Sequence, residues 1–288
     1  MKKILKFFGI IIIIGIIGGA ITGTGDSDSK DIKSGKGDSS NSVSIEEQIL
    51  LDKKDIVITA TEYVEDSIWG EGIKMTIENK SGKDVTVGCN ALIVNNYMIS
   101  DLFSATVAAG KKSNETMYLS SSGLEAAGIE TVGQIEVYFH IFEADTYDDI
   151  FDSDCVTIKT SEYENMDTTV DNDGVELYNK NGVKIVGKTV DEDSFWGKAI
   201  LLYCENKSGK NIGISVEDLS VNGYMMNSIF SSTVYKDKMA IDDITLLSSD
   251  LEENGIDSID NVEMKFRIYN ADTYSTIDES AVVEFSTK

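Results

Sequence analysis

The sequence predicts an all-β protein made of two tandem antiparallel β-sandwiches. Three observations carry this expectation. Apolar and polar residues alternate with a period of two through many segments, the chain repeats itself over most of its length, and Asn-Gly and Ser-Gly pairs punctuate the alternating runs. With Gln48 laid on Val175, residues 48–161 align with 175–288 without a gap. Roughly forty positions are identical, the mark of a duplicated domain-sized unit. ENKSGK stands in both copies, at Glu78–Lys83 and Glu205–Lys210, and EDSIWG at 65–70 matches EDSFWG at 192–197. VNNYM at 94–98 matches VNGYM at 221–225, and ADTY at 144–147 recurs at 271–274.

Residues 1–22 come first. Lys2, Lys3 and Lys6 precede an apolar run, Phe7–Thr22, longer than a signal-peptide core and shorter than the roughly twenty residues that span a bilayer. No small-x-small cleavage site follows, and no cysteine is placed for lipid attachment. An uncleaved membrane anchor is expected here, with a cleaved signal as the alternative. The positive-inside rule keeps the lysines cytoplasmic and puts the remainder outside the cell. Residues 23–47 are dominated by Gly, Ser, Asp and Lys. They form a disordered linker whose reach, roughly 25–30 Å, keeps the folded part near the membrane.

In residues 48–161, Ile73, Met75 and Ile77 alternate with Lys74 and Thr76, and Ile135, Val137, Phe139 and Ile141 with Glu136, Tyr138, His140 and Phe142. Such segments are strands with one buried face. Between Cys89 and Leu92 the inward phase slips by one, which predicts a bulge or a strand break. SSGLEAAGI at 121–129 predicts one helical turn, with Ser122 and Glu125 as a capping box and Gly128 closing it. Residues 162–174 join the copies. Residues 175–288 repeat the plan, with Val262, Met264, Phe266 and Ile268 inside, Glu263, Lys265, Arg267 and Tyr269 outside, and Ser249, Glu252 and Gly255 at the helical turn. Short strands, hairpin turns and one helical turn describe an immunoglobulin-like sandwich in each copy.

The succession of a paired strand, then ENKSGKDVTV or ENKSGKNIGI, then the later GKKSNETMYL strand resembles the telokin-like immunoglobulin-fold domains of membrane-anchored, exported proteins of Gram-positive bacteria. The resemblance implies tandem sandwiches outside the cell behind an anchor or lipid site and a low-complexity linker. It lends no activity, and the lipid-modified cysteine of some relatives is missing.

A net charge of −25 with a single arginine, Arg267, excludes nucleic acid as a partner, because phosphate binding needs a basic patch. Ser81-Gly82-Lys83 is not a phosphate loop: Asp84 follows the lysine where Ser or Thr must hold magnesium. ENKSGK is expected to be a polar hairpin loop, and its two Asn-Lys-Ser triplets are formal glycosylation sequons. His140 is the only histidine and Arg267 is its counterpart, so no histidine-based catalytic or metal constellation is duplicated. EADTYDDIFDSD at 143–154 offers oxygen ligands for calcium, but its counterpart at 270–280 keeps few of them. Cys89 and Cys204 align with Val216 and Ile77 at inward phase and read as small buried side chains. Cys155 aligns with Val282 out of that phase; a Cys89–Cys155 disulfide is the less favoured alternative.

Four residues remain as a candidate binding surface: Trp69, Trp196, Leu201 and Tyr203. The tryptophans enter a strand from a turn; packing at a core edge is their commoner use, and stacking of a sugar ring is the alternative. Lys74 and Thr76 on an outer face of the first copy become Leu201 and Tyr203 in the second, which predicts an interdomain or partner contact there. The resulting expectation is a non-catalytic, single-pass envelope protein for binding, adhesion or surface interaction. It needs no cofactor, no catalytic residue and no metal, and its partner is an extracellular protein or an envelope glycan. A glycan-binding accessory and a calcium-responsive module are the alternatives.

Overall fold

In a computed structural model, which describes residues 42–100, 103–194, 197–227 and 230–286, the alternating segments are strands. In the first copy, β1 (Gln48–Lys53), β2 (Ile56–Asp66), β3 (Gly70–Asn79) and β7 (Lys111–Tyr118) form one antiparallel sheet in that order. β10 (Val156–Lys159), β8 (Gln134–Glu143), β4 (Val85–Val94) and β5 (Tyr97–Ile99) form the other, with β6 (Ser104–Val107) on β4 and β9 (Asp149–Asp152) on β8. The apolar faces close on each other: Ile58, Ile73 and Ile77 from the first sheet meet Val137, Phe139 and Ile141 from the second, all fully buried. Each such side chain contributes about 1.5–3 kcal/mol relative to leaving it in water.

The second copy repeats this at the expected offset. β11 (Val175–Lys180), β12 (Val183–Ser194), β13 (Gly197–Asn206) and β17 (Met239–Leu247) stand for the first sheet. β14 (Ile212–Val221), β15 (Tyr224–Met225), β16 (Ser231–Val234), β18 (Asn261–Asn270), β19 (Thr276–Glu279) and β20 (Val283–Ser286) stand for the second. The phase slip near Cys89 is a bulge in the β4–β8 register between Cys89 and Ala91, matched by one between Glu217 and Ser220 in β14–β18.

The copies do not end at their own sheets. β5 lies parallel to β17, so the sheet of copy one that contains β4 and β8 continues into the first sheet of copy two. Residues 42–288 accordingly form one compact unit. The joining segment lies against copy one, where Lys159 Nζ sits 3.5 Å from the centre of the Tyr163 ring. On the other side Asp171 Oδ2 accepts from Lys188 Nζ at 2.8 Å.

Two local expectations are corrected. The capping boxes do not form. α1 (Ser121–Ala126) is capped by Ser120, whose Oγ accepts from Gly123 N at 3.2 Å, and α2 (Ser248–Glu253) follows Leu247 with no side-chain cap. Each helix starts immediately after the strand-end pair Leu119–Ser120 or Leu246–Leu247, too early for Ser122 or Ser249 to serve as a cap. Gly128 and Gly255 do adopt the left-handed conformation, at φ +67° and +65°.

The repeated hexapeptide is also more than a solvated loop. Asn79 is 1% exposed and Asn206 is fully buried. Asn79 Nδ2 donates to the carbonyls of Lys83 (2.8 Å) and Val107 (2.9 Å), and its Oδ1 accepts from Ser81 N (3.0 Å) and Ser81 Oγ (2.6 Å). Asn206 does the same with Lys210, Val234 and Ser208. With both amide hydrogens held inside, neither sequon presents its nitrogen for glycosylation. The anchor expected over 1–22 and residues 23–41 of the expected linker lie outside the described residues. Residues 42–47, expected to be disordered, are instead held to copy one: Val43 and Ile45 pack on its core, Ile45 bridges to Thr160, and the Ser44 carbonyl accepts from Ser161 N at 2.8 Å. Among the described residues no helix is long and apolar enough to cross a membrane.

Candidate functional site

Trp69 sits at the tip of the β2–β3 hairpin, and the local sequence fixes the tip from both sides. Asp66 Oδ1 accepts from the backbone N–H of Ile68 (2.7 Å) and of Trp69 (2.9 Å). These two bonds to the charged form hold the Asp66 carboxyl below its ordinary range. Gly70 follows at φ +82°, where a Cβ would fall 2.4 Å from Ser121 Oγ at the start of α1. Only glycine passes there. The tip therefore directs two large apolar side chains outward, Ile68 at 82% and Trp69 at 65% exposure. Packing of Trp69 at a core edge, the commoner use expected of it, is not what it does. Its ring lies 6.2 Å from that of Tyr118, tilted by 35°, beside a hollow of about 450 Å³ that Phe103, Thr116 and Leu119 also line. Trp196, the counterpart, lies outside the described residues.

Leu201 and Tyr203 lie on β13 in copy two. Tyr203 is fully buried and belongs to the core of copy one, together with Val186. Leu201 is half-buried and is part of neither core. Around Tyr203 the junction assembles from both copies. Met239 pairs with Tyr97 and Ala240 with Met98, and Met239 N donates to the Asn96 carbonyl at 3.0 Å. Lys238 Nζ is ion-paired to Glu136, with side chains 13% and 12% exposed, and donates to Asn96 Oδ1 at 3.0 Å. Tyr138 and Tyr235 meet edge to face at 4.8 Å. Met98 packs on the core of copy two, while Met239 and Ile241 pack on that of copy one. The Tyr203 hydroxyl is buried with no hydrogen-bond partner among the described residues, and burial pushes its pKa up.

Tyr203 stands out in the sequence because the copies differ there. Tyr97, Met98, Glu136 and Lys238 do not, because they have identical counterparts in Tyr224, Met225, Glu263 and Lys111. The only signal available was that identity itself: surface-phase residues that do not change between copies.

The other suspect residues have local partners. His140 Nδ1 lies 2.6 Å from Asp152 Oδ1 and its Nε2 lies 3.4 Å from Asp149. Its counterpart Arg267 donates to Thr276 Oγ1 and to the Tyr274 carbonyl. Glu143 pairs with Lys83, and among the described residues no three acidic, histidine or cysteine side chains converge as a metal site would require. None of the three cysteines is in a disulfide, so Cys89 and Cys155 are not bridged. Cys204 is fully buried as its phase implied, and burial pushes its thiol well up. Cys89 is only half-buried, with Sγ 3.0 Å from the Ala91 carbonyl.

No protein-family model matches the chain, and no curated protein does. Among solved structures, the YadV chaperone is 14% identical over 81% of this chain and 99% of its own, with a TM-score of 0.24. A chain of the Salmonella enterica SafA pilin in complex with the SafB chaperone is 10% identical over 75% of this chain and 88% of its own, with a TM-score of 0.22. Likenesses this distant bear on neither the arrangement of the two copies nor their role.

Proposed function

We propose that the chain is a non-catalytic, membrane-anchored extracellular protein whose two immunoglobulin-like modules bind another protein at the cell surface. The anchoring and location rest on the lysine-flanked apolar run at the N-terminus. The binding role rests on the Ile68–Trp69 tip. Two large apolar side chains are held exposed by Asp66 and Gly70 in front of an aromatic-lined hollow. A fixed apolar tip of this kind supplies anchor residues at low entropic cost to an interface.

A photo-crosslinking amino acid at Ile68 in the full chain on intact cells tests this. Discrete crosslinked protein species are expected, lost when Trp69→Ala is added. A pattern identical to that from exposed Asp173 would refute the role of the tip. A second reading, an envelope glycan stacked on Trp69, is favoured by the hydroxyls of Ser100, Thr116 and Ser120 around the same hollow. Retention of the full chain on purified cell wall, abolished by Trp69→Ala without loss of the protein crosslinks, would support it instead.

A further inference from the structure

The internal junction joins unlike surfaces. Copy one contributes an accepting edge, β5 with Asn96 and Glu136; copy two contributes a donating edge, the start of β17 with Met239 N and Lys238. Each copy carries both surfaces, so one of each is left over. The unused accepting edge is β15: Tyr224 and Met225 are 50% and 66% exposed, where Tyr97, the counterpart of Tyr224, is 6% exposed. Glu263 stands beside it where Glu136 stands in copy one. The unused donating edge is β7, which pairs with β3 alone. It opens on exposed Lys111, the counterpart of Lys238. Lys112 faces Glu78 as Met239 faces Glu205, so its N–H points off the edge as that of Met239 does.

We propose that a second copy of this chain docks here, head to tail. β15 of one molecule lies parallel to β7 of the next, with Tyr224 opposite Lys112 and Met225 opposite Ser113. The Lys112 N–H donates to the Gly223 carbonyl, and Lys111 pairs with Glu263. Tyr224, Met225, Glu263 and Lys111 repeat four side chains of the internal junction at the same strand register, which favours a second copy over an unrelated partner, although Gly223, Lys265 and Ala108 stand where Asn96, Tyr138 and Tyr235 make their contacts. The contact is heterologous and not two-fold, so it adds molecules head to tail, into a string or, where the rotation closes, a ring. It is weaker than the internal junction, because Thr59, Thr76 and Asn114 stand where Val186, Tyr203 and Ile241 pack. It is independent of any ligand of the Trp69 tip.

The test uses full chains in detergent micelles carrying Cys155→Ser. Met225→Cys molecules are mixed with Ser113→Cys molecules under mild oxidation; the equivalent pair, Met98 and Ala240, are opposed Cα to Cα, within disulfide reach. A disulfide-linked dimer is expected in the mixture and in neither variant alone. Lys111→Glu in the Ser113→Cys molecule should lower its yield about tenfold, and Glu263→Lys in the other should restore it. All of these positions lie at the surface, so the swapped pair also controls for folding. No dimer in the mixture, equal dimer from a single variant, or a yield indifferent to the charge swap would each overturn the proposal.

Discussion

Replacing Asn206 with alanine should be among the most costly single changes in the chain, although a repeated Asn-Lys-Ser-Gly turn looks like replaceable surface. The fully buried side chain makes four hydrogen bonds: to the carbonyls of Lys210 (2.7 Å) and Val234 (2.8 Å), and from Ser208 N (3.0 Å) and Ser208 Oγ (2.7 Å). At about 0.5–1.5 kcal/mol net per bond, the set is worth about 2–6 kcal/mol. Ser208 Oγ keeps its contact with the Lys210 carbonyl at 3.3 Å, which trims the upper end. Losing the bond to the Val234 carbonyl also unties the turn from β16 inside the core, so a loss of about 3 kcal/mol is expected. Asn206→Asp should cost more at neutral pH, since a carboxylate would face two carbonyls. That excess should shrink in acid, where a protonated carboxyl can donate to one of them. Urea unfolding of the full chain in micelles, followed by fluorescence with slopes compared to the parent, measures both. Ser208→Ala, which removes one of the four bonds, is the scale. A loss below about 1 kcal/mol for Asn206→Ala, or an effect no larger than that of Ser208→Ala, would refute the claim that the asparagine organises the turn.

Two further outcomes follow from the second copy. Asp242 in β17 is half-buried; burial pushes its carboxyl upward, against the opposing hydrogen bond from Ser232 Oγ. A folded pKa above the unfolded one means that its contribution favours folding below the unfolded value and is lost as pH rises through the folded value. Asp242→Asn should therefore stabilise at pH 7, with the gain shrinking as pH falls into the carboxylate range, and a gain independent of pH would contradict the assignment. Tyr203→Phe removes a buried hydroxyl that lacks a partner among the described residues while keeping the ring in the core of copy one. It should raise stability by about 1 kcal/mol in the same unfolding experiment. A clear loss would mean that the hydroxyl is bonded through water.

The strands were legible because their cause is local. Ile73, Met75 and Ile77 must share a face once the backbone is extended, and the duplication offered a second reading of every such segment. The turns at Asn181–Gly182 and Asn222–Gly223 were legible for the same reason: both residues of each adopt positive φ, which Asn and Gly tolerate. The fate of Asn79 was hidden because its burial depends on the Val107 carbonyl, a strand away, and polarity alone suggested a solvated loop. Trp69 was hidden in the opposite sense, since its exposure follows from Asp66 and Gly70 clamping the tip. Of the junction, only Tyr203 could be inferred. Contacts made by residues common to both copies are invisible to a comparison of the copies, however important they are in one place.

That invisibility also bears on how the duplication works. A contact between a donor edge and a different acceptor edge can never satisfy both edges of both copies, so a two-copy chain must leave one of each to solvent. The two leftovers have been treated differently. On the β7 side, Thr76 and Asn114 occupy places where the used edge has Tyr203 and Ile241, and Lys112 puts charge where the used edge has Met239. These are the usual means of blunting an open sheet edge. On the β15 side nothing is blunted: Tyr224 and Met225 remain apolar and exposed. Three apolar side chains missing from the β7 side, at about 1.5–3 kcal/mol each, separate a permanent internal junction from a weak external one. Such a contact would not hold two free molecules together in dilute solution. Under the membrane anchoring proposed above, molecules sharing one surface would meet at far higher effective concentration, and that is where a weak, directional edge contact can act. The charge swap between Lys111 and Glu263 therefore carries more weight than the cross-link alone. Crowding by itself produces contacts in every orientation, and only a matched head-to-tail edge recovers when both charges are reversed.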